Sequence, residues 1–206
     1  MMKKILCGLG IAGLVVLAGP ASADFIDFES DALGAKPNGF ASVDSGQVTF
    51  TDSSGADLFI YSGFESDGRS LAVGADDSSY LIMNFSALFN TISLDFGNDD
   101  PFFSDPGDMA VLRLYLGATL VGTSTVVMNR DDLMNQSIAY TGADFDRAEF
   151  FYDVTVPTPV GGTGLIELVD NIFFDHRPIP EPATMTLLGL GLAGLAARAR
   201  RNKSQA

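Results

Sequence analysis

Residues 109–122 read MAVLRLYLGATLVG, and the fold class turns on them. Leu112, Leu114 and Leu116 alternate with Val111, Arg113 and Tyr115. Side chains on a strand point to opposite faces in turn, so the leucines share one face and the Arg and Tyr the other. This is the pattern of an antiparallel strand with one face in a core and one in water. Gly117-Ala118 interrupts the run, and TLVGTSTVV (119–127) resumes it with β-branched residues. The stretch predicts a hairpin.

Similar short runs recur on both sides. They are GQVTFT (46–51), DLFIY (57–61), SYLIMNF (79–85), TISLDF (91–96), FDRAEFFY (145–152), GLIELV (164–169) and NIFFD (171–175). Turn-forming clusters such as DSSGAD (52–57) and GNDDPFFSDPGD (97–108) separate them. Only SALF (86–89) and NRDDLMNQS (129–137) have the look of a helical turn. No repeat of roughly 20–50 residues is visible. The reading is an all-β antiparallel sandwich of jelly-roll type over residues 24–176, although periodicity alone does not separate a sandwich from a barrel.

Both ends of the chain differ from this middle. Residues 1–23 begin with Lys3 and Lys4, continue through an apolar run from Ile5 to Ala18, and end at Ala21-Ser22-Ala23. That is the layout of a helical signal peptide with cleavage after Ala23. The run is shorter than the roughly 20 residues of a spanning helix. Cys7, the sole cysteine, lies within the segment expected to be removed, so the mature chain would have no disulfide to hold it. At the other end, 177–182 form a linker, and 183–197 an uncharged run of 15 residues containing three glycines. As a short transmembrane-like helix it would rise roughly 22 Å against a hydrocarbon core of about 30 Å. A basic tail, 198–206, would keep to the cytoplasmic side.

Pro180-Glu181-Pro182, the Ala183-Thr184-Met185 that follows, the Leu/Gly/Ala run and the terminal arginines resemble the PEP-CTERM sorting domain. The resemblance covers Pro180 to Ala206. It implies transient recognition by an exosortase, a membrane-embedded peptidase of Gram-negative bacteria that make exopolysaccharide. It also implies processing near the Pro-Glu-Pro and delivery to the cell surface or extracellular matrix. The only membrane contact expected is through this segment. The job of the domain ahead of the tail is not implied.

Charge narrows the classes that remain. Asp24 to Pro182 holds all 26 acidic residues but only six basic ones, a net of −20 against −14 for the whole chain. Such a surface repels nucleic acid and keeps an exported protein soluble. His176 is the only histidine and stands at the joint to the tail, where it reads as a linker residue. Triads and Cys/His zinc sites therefore lack their parts.

Carboxylate chemistry is what is left. DFDRAE (144–149) resembles the E-x-D-x-x-E strand of jelly-roll glucanases, with Asp144 where that family has its nucleophilic Glu. Asp144 and Asp146 share a face in a regular strand, and only a bulge would bring Glu149 to it. The chain also has no Trp to stack on sugar. DFES (27–30) and ELVDNIFF (167–174) are similar to the first and last strands of jelly-roll carbohydrate-binding modules. That likeness implies a structural calcium shared by Glu29 and Asp170, beside the plainer reading of a solvated Glu29 and a turn at Asp170-Asn171. A second acidic loop, with Asn98, Asp99, Asp100, Asp105 and Asp108, lacks EF-hand spacing.

The expectation is a non-enzymatic, exported surface or matrix protein that binds or organises exopolysaccharide. Tyr61, Tyr80, Tyr115, Tyr140 and Tyr152 are the candidate sugar platforms. A purely structural or adhesive matrix component is the alternative, and a glycoside hydrolase the third reading.

Overall fold

The structure is a computed structural model. It describes residues 23–63, 66, 68–74, 78–154 and 165–176, together with Gly191. The expected signal peptide up to residue 22, the linker with Pro180-Glu181-Pro182 and, Gly191 apart, the C-terminal run and tail lie outside the described residues. No helix among the described residues is long and apolar enough to cross a membrane.

Ten strands form, and every pairing between them is antiparallel. They are β1 Asp24–Ile26, β2 Gly34–Ala35, β3 Val48–Asp52, β4 Leu58–Tyr61, β5 Ser70–Val73, β6 Leu81–Gly97, β7 Met109–Leu116, β8 Thr119–Val127, β9 Gln136–Asp153 and β10 Glu167–Asp175. Two are far longer than the rest: β6 has 17 residues and β9 has 18. Each takes part in both halves of the sheet. The first half runs β3, the start of β6, the end of β9, β7 and β8. The second runs from the start of β9 through the end of β6 to β10, with β1, β5, β4 and β2 beyond.

Between the halves the register shifts. Asn84 pairs with Arg147, Phe89 with Phe145 and Thr91 with Thr141. A register irregularity moves the strand's buried set to the other parity. On β6, Leu81, Met83 and Phe85 are buried before the shift, and Ile92, Leu94 and Phe96 after it. The sheet therefore folds over, and both halves turn apolar faces to one core. Phe96 and Phe150 show this directly. They pair with Gln136 and Leu81 respectively, yet their rings lie 5.8 Å apart across the core. The all-β antiparallel class read from the alternation is the one observed.

At the bend sits an aromatic cluster. Phe85 lies 5.2 to 5.4 Å from Phe89, Phe145 and Phe174, and Phe89 lies 4.8 Å from Phe174. His176 stacks on Phe89 at 4.1 Å, and its Nδ1–H donates to the Leu88 carbonyl at 2.6 Å. It is thus a cap on the bend and not the idle linker residue expected. SALF is likewise no helical turn. Phe85 and Phe89 stand four apart like residues of one helix face, but the bend brings them together. NRDDLMNQS forms no helix either; its backbone wraps around Asp99, and its last residues enter β9. The end of GLIELV, from Glu167, and NIFFD are parts of one strand, β10, with an irregularity after Asp170, where Asn171 adopts φ +48°. SLAV (70–73) was missed because all four residues are buried and nothing alternates.

Two outcomes test this core. Phe89→Ala should lower unfolding stability by about 3–5 kcal/mol in urea titration of the full chain. Tyr152 is buried and its hydroxyl donates to the Gly97 carbonyl. Burial, then the charges of Glu167 and Asp99, push its phenol well above the usual value. The folded state holds this proton more tightly than the unfolded chain, so its contribution is intact below about pH 10 and lost above it. Tyr152→Phe should cost about 1 kcal/mol at neutral pH and flatten the fall in stability on the alkaline side.

Candidate functional site

The acidic candidates come first, because most of them are already committed. Glu29 lies in the turn after β1, and its Oε1 accepts the Arg69 backbone N–H at 2.7 Å. The Arg69 guanidinium donates to the carbonyls of Glu29 and Asp31, at 2.7 and 2.6 Å. A calcium held by Glu29 would need such carbonyls to complete its oxygen shell. Here a guanidinium stands in that place and ties the turn to the start of β5. Asp170 is buried on β10, where it accepts the Asn171 N–H at 2.7 Å and faces the Ser70 hydroxyl at 3.5 Å. The two carboxylates thus bond to successive residues, Arg69 and Ser70, without sharing a partner in these bonds. Among the described residues no group of three or more His, Cys, Asp or Glu side chains is gathered to hold a metal. The carbonyls that a calcium at Glu29 would draw on are bonded to Arg69 in this arrangement.

The second acidic loop serves its own backbone. Asp99 is buried and accepts the N–H groups of Arg130 and Asp132, at 2.6 and 2.9 Å. Asp100 accepts from Phe102, and Asp108 from Asp105, both at 2.7 Å. Asn98 donates to the Ile166 carbonyl at 2.8 Å. Of the carboxylates of DFDRAE, Asp144 is exposed, and the other two are engaged within the sheet. Asp146 accepts the N–H of Gly117, whose φ of +58° makes the β7–β8 turn. Glu149 pairs with Arg147 at 3.4 Å.

The five tyrosines separate into three groups. Tyr152 is core. Tyr140 packs on Phe145 and bonds Val121 and Ala143 through its hydroxyl, a brace between β8 and β9. Tyr80 and Tyr115 lie on the solvent face of the first half, near Phe151 and under Arg147 respectively. Tyr61 lies on the solvent face of the second half, in a groove of about 160 Å³ lined by Phe59, Tyr61, Ala72, Asn98, Ile166 and Leu168.

That groove is a concave site among the described residues. Phe59 and Tyr61 alternate outward on β4, and their rings meet at 89° with centroids 6.1 Å apart. A Cβ at Gly63 would lie 1.9 Å from the Tyr61 hydroxyl, and one at Gly74 would lie 3.1 Å from the Phe59 ring. Glycine at both positions lets the rings rest against the backbone. Ala72 and Leu168 form the floor, and Asn98 brings an amide to the rim. Its Nδ2 is engaged with Ile166, which fixes the orientation of its carbonyl oxygen. Neither Phe59 nor Asn98 was singled out for this role from sequence. The alternation in DLFIY could have marked Phe59 as a neighbour of Tyr61, but the approach of the β6 end could not be read there.

Residues 178–201 match the PEP-CTERM protein-sorting motif. The chain carries the sorting signal of exported proteins processed at the membrane. No curated protein matches it. Among solved structures it is similar to the CBM6-3 module of Clostridium stercorarium in complex with cellobiose, at 15% identity and TM-score 0.36, over 70% of this chain and 99% of that one. It is also similar to a Clostridium perfringens ZmpB structure that includes CBM51-2 in complex with GlcNAc, at 13% identity and TM-score 0.35, over 74% of this chain and 31% of that one. A third is the catalytic domain of a GH87 α-1,3-glucanase with nigerose, at 11% identity and TM-score 0.35, over 78% and 30%.

The Arg69 clamp gives a direct test. Arg69→Met should lower stability by about 1–2 kcal/mol, because the carbonyls of Glu29 and Asp31 lose their donor. Calcium should leave the melting temperature of the full wild-type chain unchanged in scanning fluorimetry. A calcium-dependent rise would show that the metal binds and displaces the Arg69 contacts.

Proposed function

We propose that this is an exported, exosortase-sorted surface protein whose β domain binds a neutral segment of matrix polysaccharide in the Phe59–Tyr61 groove, without catalysing a reaction. The perpendicular aromatic pair carries this reading. A sugar ring has apolar C–H faces and a polar rim, so its recognition needs a flat apolar wall beside a hydrogen-bonding group. Phe59 and Tyr61 supply two such walls at right angles, and Asn98 supplies the polar group. Pockets of this make-up, mostly apolar with few convergent polar groups, are the default binding sites of folded proteins. The volume suits a single ring at a chain end or a branch.

The groove offers no catalytic pair. Asp146 and Glu149 lie away from it and are bonded to Gly117 and to Arg147 respectively. The sorting motif explains how the protein meets polysaccharide, since its resemblance to exosortase substrates implies the surface or matrix of a Gram-negative cell.

A glycan array probed with the full chain should show saturable binding to a subset of neutral glycans. Tyr61→Ala should weaken that binding about tenfold or more, equivalent to about 1.4 kcal/mol, while Tyr61→Phe keeps most of it. A flat array would favour the structural or adhesive matrix role instead. Release of reducing ends from a bound glycan would overturn the non-enzymatic part.

A further inference from the structure

The solvent face of the first half of the sheet has a different chemistry. Arg113 on β7 stands opposite Glu149 on β9, and Tyr115 opposite Arg147. Arg147 lies over the Tyr115 ring at 4.3 Å and pairs with Glu149. Burial, then the neighbouring Glu149 carboxylate, raise the Tyr115 phenol above the ordinary value. Glu149 is neutralised within the face by Arg147. Arg113 lies over Phe151 at 4.6 Å, and Phe151 in turn packs on Tyr80 at 6.2 Å.

Arg113 differs from the other described cations. Lys36, Arg69 and Arg130 donate to backbone carbonyls, and Arg147 to Glu149. Arg113 is exposed and lies over the Phe151 ring, and among the described residues it forms no ion pair and no hydrogen bond to a carbonyl. Stacking fixes the plane of the guanidinium and leaves its N–H edge open. Such a fork matches a carboxylate in two parallel hydrogen bonds.

We propose that this face is a second binding site, separate from the groove, for a carboxylate-bearing polysaccharide of the uronate type. Arg113 takes the carboxylate, and the Tyr80–Phe151 pair and Tyr115 offer rings for the sugar faces. Outward on β7 and β9 this face carries Arg113, Arg147, Glu149 and Asp153, a net charge of zero in a domain of −20. Screening confines charge effects to about 8 Å at physiological salt, so this local balance governs a docked sugar. A strip without net negative charge is where such a surface admits an acidic polymer. Nucleic acid is a poor occupant, because its affinity needs many phosphate contacts and one open arginine supplies one.

Calorimetry of the full chain against polygalacturonate and its methyl ester tests the idea. Binding to the acid form should be saturable, weaken with added salt, and fall about tenfold or more on esterification or in Arg113→Gln. Tyr61→Ala should leave it unchanged, and Arg113→Gln should leave neutral-glycan binding unchanged. Equal binding of acid and ester, an indifferent Arg113→Gln, or no heat with polygalacturonate would each overturn the second site. None of these would touch the groove.

Discussion

The packing of Phe85, Phe89, Phe145 and Phe174 at the bend makes this protein a two-layered domain and not an open sheet. Two strands of 17 and 18 residues would otherwise run straight on, leaving an apolar stripe to water. Four rings meeting edge to face fill the corner, each contact adding about 0.5–1.5 kcal/mol beyond burial. With the corner set, Phe96 meets Phe150 and Tyr152 from the opposite layer, and the Tyr152 hydroxyl ties the layers at Gly97. Both candidate sites follow. Folding the sheet sends Phe59 and Tyr61 outward on one layer and Arg113 and Tyr115 outward on the other.

With no cysteine after residue 23, the loops must be fixed by other means. Carboxylates do much of this work. Asp31 accepts the Ser42 hydroxyl and the Val43 N–H, Asp99 gathers two amides from the β8–β9 loop, and Asp24 holds Ser45 and Gln47. A carboxylate accepting backbone N–H groups makes charge-assisted bonds that also satisfy amides otherwise left without partners in turns. This is why a chain so rich in Asp gathers no metal-ligating group among its described residues. The acids are dispersed, each beside the amides it serves, whereas a metal needs them to converge.

The legible part of the fold was the alternation. In MAVLRLYL the buried Leu112 and Leu114 and the outward Arg113 and Tyr115 stand where period two places them, although Leu116 at the end of β7 is exposed. Alternation fails wherever both faces are covered or the register slips. SLAV is buried on every side, and SALF changes parity at the bend. Of the site, Tyr61 and both outward tyrosines of the first layer were on the candidate list, but five tyrosines in β-rich runs look alike. What sorts them is the register of distant strands, which sets Tyr152 against Gly97 and Tyr140 across β8. The loops were the least legible. Their acids suggested calcium, and nothing in the sequence shows an arginine from 40 residues away reaching the carbonyls beside Glu29.

Placement of the few cations follows one physical logic. Lone positive charges in a domain of −20 would find a carboxylate anywhere on the surface, where each ion pair contributes about 0–1 kcal/mol. Arg69 and Arg130 are directed instead to carbonyl oxygens at turn ends, where a guanidinium satisfies several acceptors at once and a lysine would not. Arg113 and Arg147 are held flat over aromatic rings on a strand face, where a cation gains about 0.5–1 kcal/mol and its orientation is fixed. Two cations are thus spent on holding loops and two on dressing a surface. Stability explains the first pair. The second pair braces no loop; Arg113 stands across from Glu149, which pairs with Arg147, and its stacked, outward guanidinium is what the proposed second site is built on.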